Sequence, residues 1–140
     1  MTGVSTVQEL PIQEEVDIVH VRQAAREVAV SVGFSLVDQT KVVTAASELA
    51  RNTLQHGGGG VATVGLERTA NHTTLQLVFR DDGPGIPDVE QALTDGYSSA
   101  GGLGLGFGGA RRLADTFELD TKPGEGTTVT ITFRTRSAVR

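Results

Sequence analysis

Hydrophobic residues recur every three or four positions along two stretches in the first half of the chain. In the first stretch the apolar positions are Ile18, Val21, Ala25, Val28 and Val32. This spacing puts one apolar stripe along one face of a helix. Acidic side chains between Glu14 and Asp17 come just before it, where the helix dipole favours negative charge, and Gly33 follows where a C-cap belongs. The pattern predicts a first amphipathic helix that ends near Gly33.

The second stretch predicts a longer helix. Its apolar positions are Val42, Ala45, Ala46 and Leu49. The pattern Ser35-x-x-Asp38 is typical of a helix start, and the run Gly57–Gly60 ends the helix. We interpret these four glycines as an unusually loose exit.

Alternating or short apolar runs predict five strands. They span Val4–Ile12, Val61–Arg68, Thr73–Phe79, Phe117–Thr121 and Thr127–Phe133. A helix is predicted at Phe107–Ala114, although Gly108 and Gly109 lower its propensity. We also expect a short helix at Val89–Leu93 and a mobile loop over residues 95–101.

The order of these elements predicts the fold class. Regular alternation of strand and helix, which a doubly wound parallel sheet requires, is missing. Two pairs of strands instead follow each other like hairpins. We therefore predict an α/β two-layer sandwich, with a mixed, mainly antiparallel sheet and helices on one face.

Composition narrows the function classes. The 140 residues fit a single domain, 1–140. A net charge of -5 with only two lysines argues against a nucleic-acid partner, and the absence of cysteine excludes disulfides and thiolate metal sites. No apolar run reaches the roughly 18 residues that a membrane span needs, and no signal-peptide core is present. We expect a cytoplasmic protein that binds neither nucleic acid nor membrane.

Glu48 and Asn52 stand four residues apart in the second predicted helix. Because successive residues turn by about 100°, both should lie on the shoulder of its buried stripe, within about 6 Å of each other. Arg51 should point roughly the opposite way, toward solvent. An amide oxygen suits Mg²⁺, and a carboxylate beside it can accept a proton from an attacking hydroxyl. Taken alone, such a pair is more often an exposed polar pair on a surface helix.

The segment Asp81-x-Gly83-x-Gly85 follows directly after an apolar strand. Its glycines allow a tight turn whose backbone can approach a flat ligand closely. Asp81 would then accept a hydrogen bond from an exocyclic amine. A plain turn with a capping aspartate is the alternative.

A third cluster, Gly101–Gly106, leads into a predicted helix. Backbone N–H groups there can face an anion such as phosphate. No Gly-Lys-Ser/Thr follows, so this is not a Walker A loop. Alone, the cluster fits a flexible linker equally well.

Four segments in this order resemble the boxes of one superfamily. They are Glu-Leu-Ala-Arg-Asn at 48–52, Asp-Asp-Gly-Pro-Gly-Ile-Pro at 81–87, Gly-Gly-Leu-Gly-Leu-Gly at 101–106 and Gly-Glu-Gly-Thr-Thr at 124–128. They resemble the N box, the two glycine boxes and the terminal Gly-Thr box of the gyrase, Hsp90, histidine kinase and MutL ATPases. The resemblance runs from Glu14 to Phe133 and implies the Bergerat α/β sandwich. Within the superfamily the chain is similar to small bacterial anti-sigma-type serine/threonine kinases, above all the switch kinases of stressosome partner-switching modules.

The resemblance implies a role for each matching residue. Glu48 would be the general base, Asn52 would hold Mg²⁺, and Asp81 would read the adenine amine of ATP. Gly83 and Gly85 would shape the pocket, and Thr127 would lie near the base. The phosphates would be cradled by the backbone of Gly102, Leu103, Gly104 and Leu105.

The resemblance also implies a function. The kinase would transfer the γ-phosphoryl group of Mg²⁺·ATP to a STAS-domain antagonist protein, and on release would activate a downstream phosphatase. One alternative is an anti-sigma factor that binds a sigma factor directly. Another is a nucleotide-dependent binding module without catalysis, against which the retention of both Glu48 and Asn52 counts.

Overall fold

The computed structural model describes residues 4–85 and 106–136. Five strands and three helices lie within these ranges. In chain order they are β1 (Ser5–Ile12), α1 (Glu15–Ser31), α2 (Leu36–Gln55), β2 (Gly60–Arg68), β3 (His72–Asp81), α3 (Gly106–Leu113), β4 (Thr116–Thr121) and β5 (Thr127–Arg136). The predicted short helix at 89–93 and the predicted mobile loop at 95–101 lie outside the described residues.

The strands form one sheet in the order β1-β2-β3-β5-β4. All four ladders within the described residues are antiparallel. The predicted α/β sandwich with a mainly antiparallel sheet is confirmed. β3 lies at the centre, so both of its edges are hydrogen-bonded, to β2 and to β5.

The helices cover one face of this sheet. Along β3 the alternate side chains of Thr73, Leu75, Leu77 and Phe79 are buried, while those between them are only partly covered or exposed. A strand that alternates in this way packs one face on a core. The facing stripe of α2 includes Val42, Ala45, Ala46 and Leu49, all buried as predicted. Burying one leucine such as Leu77 stabilises the fold by about 2 kcal/mol.

The helix ends follow from local hydrogen bonds. The N–H of Asp38 donates to the Ser35 hydroxyl at 3.1 Å, so the predicted start of α2 is confirmed. In the first turn of α1, Oδ2 of Asp17 accepts from the N–H groups of Gln13 at 2.8 Å and Glu14 at 2.9 Å, which precede the helix. These two backbone donors hold the pKa of Asp17 below its usual value. Gly33, at φ +88°, ends the α1 turn in the left-handed conformation as expected.

Helix α3 forms in spite of its two glycines. Gly108, Gly109 and Ala110 are all buried, and the helix packs against α2. At its start the Phe107 ring meets the Phe117 ring of β4 edge to face, with centroids 6.3 Å apart. Tertiary packing therefore overrides the low helix propensity of the segment. Within the described residues, no helix has both the length and the apolarity that crossing a bilayer requires.

Candidate nucleotide site

Asp81 ends the central strand, next to the C-terminal end of α2. Its backbone pairs with Gly60 of β2 on one side and with Thr127 of β5 on the other. Because strand side chains alternate, Asp81 points to the same face as Phe79, toward the helices. A strand end held from both sides cannot shift without breaking ladder hydrogen bonds.

The Asp81 carboxylate is held in one orientation. The N–H of Gly83 donates to its Oδ1 at 2.8 Å, which is the local turn that aspartate favours. Gly57, just after α2, lies directly against the same carboxylate. A Cβ placed on Gly57 would come within 2.3 Å of Cγ and 2.5 Å of Oδ2 of Asp81. The structure therefore brings the end of α2 into contact with the candidate base-reading side chain.

The turn after Asp81 packs backbone to backbone on the β4–β5 turn. Gly85 has φ +78°, and a Cβ there would lie 2.2 Å from the carbonyl oxygen of Lys122. The N–H of Gly124 donates to the Pro84 carbonyl at 2.6 Å. A Cβ on Gly126 would lie 2.2 Å from the Asp81 carbonyl oxygen. These glycines are needed because two chain segments pass at van der Waals distance.

Thr127 on β5 is the ladder partner of Asp81 on β3. It is buried, and its hydroxyl lies 2.9 Å from the hydroxyl of Thr121. Thr127 therefore stands next to the candidate base-reading residue Asp81. Its contact with a base stays a prediction.

The four glycines after α2 do not form a loose exit, and that interpretation was wrong. The N–H of Gly57 donates to the carbonyls of Asn52 at 3.3 Å and Thr53 at 3.2 Å, and that of Gly59 donates to Thr53 at 2.9 Å. A Cβ on Gly60 would lie 2.0 Å from the Arg80 carbonyl oxygen. Gly57, Gly59 and Gly60 pack tightly because α2, β2 and β3 meet at this point, whereas Gly58 is exposed.

Glu48 and Asn52 lie one turn apart on α2, and both are half-buried. Nη1 of Arg51 donates to Oε1 of Glu48 at 2.9 Å. The Arg51 side chain is 38% exposed and that of Glu48 is 18% exposed. The expectation that Arg51 points away into solvent was wrong. Residues three apart on a helix are separated by only about 60° around its axis, and the long arginine reaches back across one turn.

The amide oxygen of Asn52 is a type of ligand that Mg²⁺ accepts together with phosphate oxygens and water. Among the residues that the structure describes, no group of three His, Cys, Asp or Glu side chains is placed to hold a metal ion. A divalent ion at Asn52 would therefore take most of its ligands from phosphate oxygens and water. Mg²⁺ prefers that arrangement.

These groups follow one another along a single helix. Gly57, in contact with Asp81, comes at the C-terminal end of α2; Asn52 and then Glu48 come earlier. At 1.5 Å per residue, Gly57 and Glu48 are about 14 Å apart along the axis. The order of the candidate base reader, the candidate metal ligand and the candidate proton acceptor matches the order of base, phosphates and terminal phosphoryl group in a nucleoside triphosphate.

The predicted phosphate cradle, Gly102 to Leu105, lies outside the described residues. The helix that follows begins at Gly106. Its first ring, Phe107, is anchored on Phe117 of β4. The cradle itself stays a prediction.

Comparison with known proteins identifies the family of this chain. Residues 37–137 match the family described as histidine kinase-, DNA gyrase B-, and HSP90-like ATPases. This chain belongs to that ATPase family. The matched region contains α2 from its second residue onward, the strands β2 to β5 and every candidate site residue.

Two relatives of this ATPase refine its class. It is 45% identical over 120 residues to the serine/threonine-protein kinase RsbT of Bacillus subtilis (strain 168), covering 84% of this chain and 89% of that protein. It is 32% identical over 98 residues to an anti-sigma F factor of Bacillus licheniformis, covering 66% and 67%. On this relationship the enzyme class is ATP-dependent serine/threonine-protein kinase, as the four boxes implied.

Solved structures share the fold of this ATPase at low identity. The RsbU and RsbW domains of a Mycobacterium tuberculosis protein match with a TM-score of 0.61 at 22% identity, covering 96% of this chain and 34% of that chain. The mycobacterial sensor histidine kinase MprB matches with a TM-score of 0.52 at 17% identity, covering 99% and 100%. At these identities the likeness shows the fold alone.

Proposed function

We propose that this protein is a cytoplasmic switch kinase that transfers the γ-phosphoryl group of Mg²⁺·ATP to a serine or threonine of a STAS-domain antagonist. The observation that carries the proposal is the order of three groups on and just after α2. They are Gly57, which contacts Asp81, then Asn52, then Glu48. The 45% identity to a serine/threonine-protein kinase over most of both chains supports it.

In this proposal the two ends of the site have different roles. Asp81 accepts a hydrogen bond from the adenine amine and fixes the base. The Asn52 amide oxygen, with phosphate oxygens and water, holds Mg²⁺, which neutralises charge on the phosphates when bound. Glu48 meets the hydroxyl of the acceptor protein.

The chemical step uses Glu48 as a base. The acceptor oxygen bonds to the γ-phosphorus as the bond to the β–γ bridging oxygen breaks, and ADP leaves. The hydroxyl proton passes to the Glu48 carboxylate. Arg51 holds Oε1 of that carboxylate at 2.9 Å, so its part is to orient the base.

The partner-switching role completes the proposal. The kinase is held by its STAS-domain substrate until phosphorylation releases it, and then activates a downstream phosphatase. Such a switch requires that the kinase binds the STAS-domain protein with a different affinity before and after phosphorylation.

A transfer assay tests this function. The purified protein is incubated with [γ-³²P]ATP, Mg²⁺ and the STAS-domain protein encoded nearest to its gene. We expect label on a serine or threonine of the STAS-domain protein, and loss of label when EDTA removes Mg²⁺. Bound ATP without any transfer would instead indicate a binding module.

A second candidate is an anti-sigma factor kinase. The identity to anti-sigma F factors over about two thirds of the chain favours it. A pull-down from the native organism separates the two. Retention of a sigma factor would favour this candidate, and retention of a phosphatase would favour the switch kinase.

A further inference from the structure

Gly57 lies at a position where any side chain would collide with the side chain of Asp81. The space that a Cβ on Gly57 would fill is taken by Asp81, with Cγ at 2.3 Å, Oδ2 at 2.5 Å and Cβ at 2.6 Å from the ideal Cβ position. Contacts below about 3 Å between such carbon and oxygen atoms are strongly repulsive. A side chain at 57 and the observed Asp81 conformation therefore exclude each other.

Neither backbone can move away cheaply. Gly57 is tied to the end of α2 by its N–H bonds to Asn52 and Thr53. Asp81 is tied by the ladders to Gly60 and Thr127. Rotation of the Asp81 side chain would break the 2.8 Å hydrogen bond from Gly83 to Oδ1. It would still leave Asp81 Cβ 2.6 Å from the added atom, so the end of β3 that carries the carboxylate must also shift.

Gly57 also differs from its neighbours in backbone conformation. Gly58 and Gly59 have φ of +74° and +107°, where L side chains are strained, whereas Gly57 is not in that region. Alanine at 57 would thus suit the backbone. Its effect would come from the contact with Asp81.

We propose that Gly57 is a positioning residue for base recognition, whose missing side chain lets the Asp81 carboxylate point at the exocyclic amine of adenine. This inference rests on the proposed function, because it assigns Asp81 to adenine. Gly57 itself touches Asp81 and not the nucleotide. Gly57, which follows the end of α2, therefore contributes to the preference for ATP over nucleotides without a 6-amine.

The test compares ATP with inosine triphosphate, which carries an oxygen in place of the 6-amine. Dissociation constants for both, with Mg²⁺, are measured by calorimetry for the wild type and Gly57→Ala. We expect the wild type to prefer ATP. In Gly57→Ala we expect ATP affinity to fall about tenfold or more, since a hydrogen bond to a charged group is lost, while affinity for inosine triphosphate changes little.

Gly58→Ala is the matched control. An alanine there is strained by its positive φ, yet among the described residues nothing lies within 4 Å of its Cβ position. It should lower the melting temperature and keep the preference for ATP. A preference lost equally in both variants would overturn the proposal, because the loss would then follow from general loosening of the turn.

A double-variant cycle tests the route through Asp81. In Asp81→Gly the conflicting side chain is absent, so adding Gly57→Ala should change neither the ratio of the two affinities nor the melting temperature. This arm also decides the case in which Gly57→Ala alone does not fold. Recovery of folding in the double variant supports the proposal, and failure to recover overturns it.

The remaining outcomes are equally clear. If Gly57→Ala keeps the wild-type ratio, or weakens both nucleotides equally, Gly57 does not act through Asp81 and the inference is wrong. If the wild type already binds both nucleotides alike, the adenine assignment of the proposed function fails first. That result appears before any variant is compared, so the two failures are distinguishable.

Discussion

The two ends of the candidate site along helix α2 are built in different ways. At its C-terminal end, Asp81 is held by ladders on both sides and by the N–H of Gly83, and Gly57 packs against it. Two to three turns earlier, Glu48 is carried on a helix face and is paired with a half-exposed arginine. Backbone geometry dominates the first end, and side-chain geometry the second.

This difference has a consequence for substitutions. At the backbone-held end, an added methyl group has no room, so effects should be steric and should alter nucleotide choice. At the side-chain end, groups can rearrange, so effects should be chemical and should alter the rate with little change in affinity. The predictions below test this contrast.

The largest expected effect is on the proposed base. Glu48→Gln keeps the shape of the side chain and removes its ability to take a proton. We expect the transfer rate to fall by about a hundredfold to ten-thousandfold, with ATP affinity unchanged. Rapid-quench transfer assays and calorimetry measure the two quantities. Equal loss of affinity would indicate a structural role for Glu48.

The second prediction concerns Asp81. Because Gly83 holds Oδ1, Asp81→Asn would turn its NH₂ group toward the base, so that donor faces donor at the adenine amine. We expect ATP affinity to fall about tenfold to a hundredfold and inosine triphosphate, whose 6-oxygen accepts, to bind better than ATP. Calorimetry with both nucleotides checks this reversal. An unchanged preference for ATP would contradict the adenine assignment.

The third prediction concerns Arg51. Arg51→Met frees the Glu48 carboxylate to change rotamer, so we expect kcat to fall about tenfold, ATP affinity to stay constant, and Arg51→Lys to restore part of the rate. Steady-state transfer kinetics measure this. An equal fall in ATP affinity would contradict a positioning role.

A matched ion pair on the same helix provides the control for Arg51. Lys41 and Asp38 are also three residues apart, with Nζ 3.9 Å from Oδ1 and both side chains exposed. Lys41→Met should leave kcat unchanged. Each variant should lose less than about 1 kcal/mol of stability. A similar fall in kcat for both would mean that loss of any pair on α2 slows the enzyme.

The smallest expected effect is at the corner before α1. A Cβ on Gly59 would lie 2.9 Å from the Ile12 carbonyl oxygen, so this corner borders the backbone-held end. The fold lowers the pKa of Asp17. The charged Asp17 carboxylate therefore stabilises the folded state fully above its unfolded pKa of about 4, and this stabilisation is lost as the pH falls through the folded pKa. Asp17→Asn should be less stable than the wild type at pH 7.

Urea denaturation from pH 7 to pH 3 checks the Asp17 prediction. The difference between wild type and Asp17→Asn should shrink as the pH falls below about 4. A difference that stays constant over this range would show that the charge of Asp17 does not contribute. ATP preference should be the same in both proteins.

The elements of the fold were largely predictable from the sequence because they depend on local periodicity. The apolar stripe of α2 and its Ser35 cap are within one turn of their predicted places. The central strand was predicted to end at Phe79 but continues to Asp81. It extends because ladders with Gly60 and Thr127 prolong it, and these partners are distant in sequence.

The candidate site was less predictable. Motif order led to the prediction of Asp81, Glu48 and Asn52 as site residues. The packing of Gly57 on Asp81 joins positions 24 residues apart, which local periodicity does not detect. The direction of Arg51 was missed because helix angle alone ignores the length of its side chain. The burial of Gly108 and Gly109 was missed because propensity does not include packing against α2.

The most direct test of the account is the structure of this protein with Mg²⁺ and a non-hydrolysable ATP analogue. The account predicts one nucleotide along α2, with its 6-amine hydrogen-bonded to Asp81, its cation on the Asn52 oxygen and its γ-phosphate nearest Glu48. A base bound away from Asp81, or phosphates directed away from Asn52 and Glu48, would contradict it.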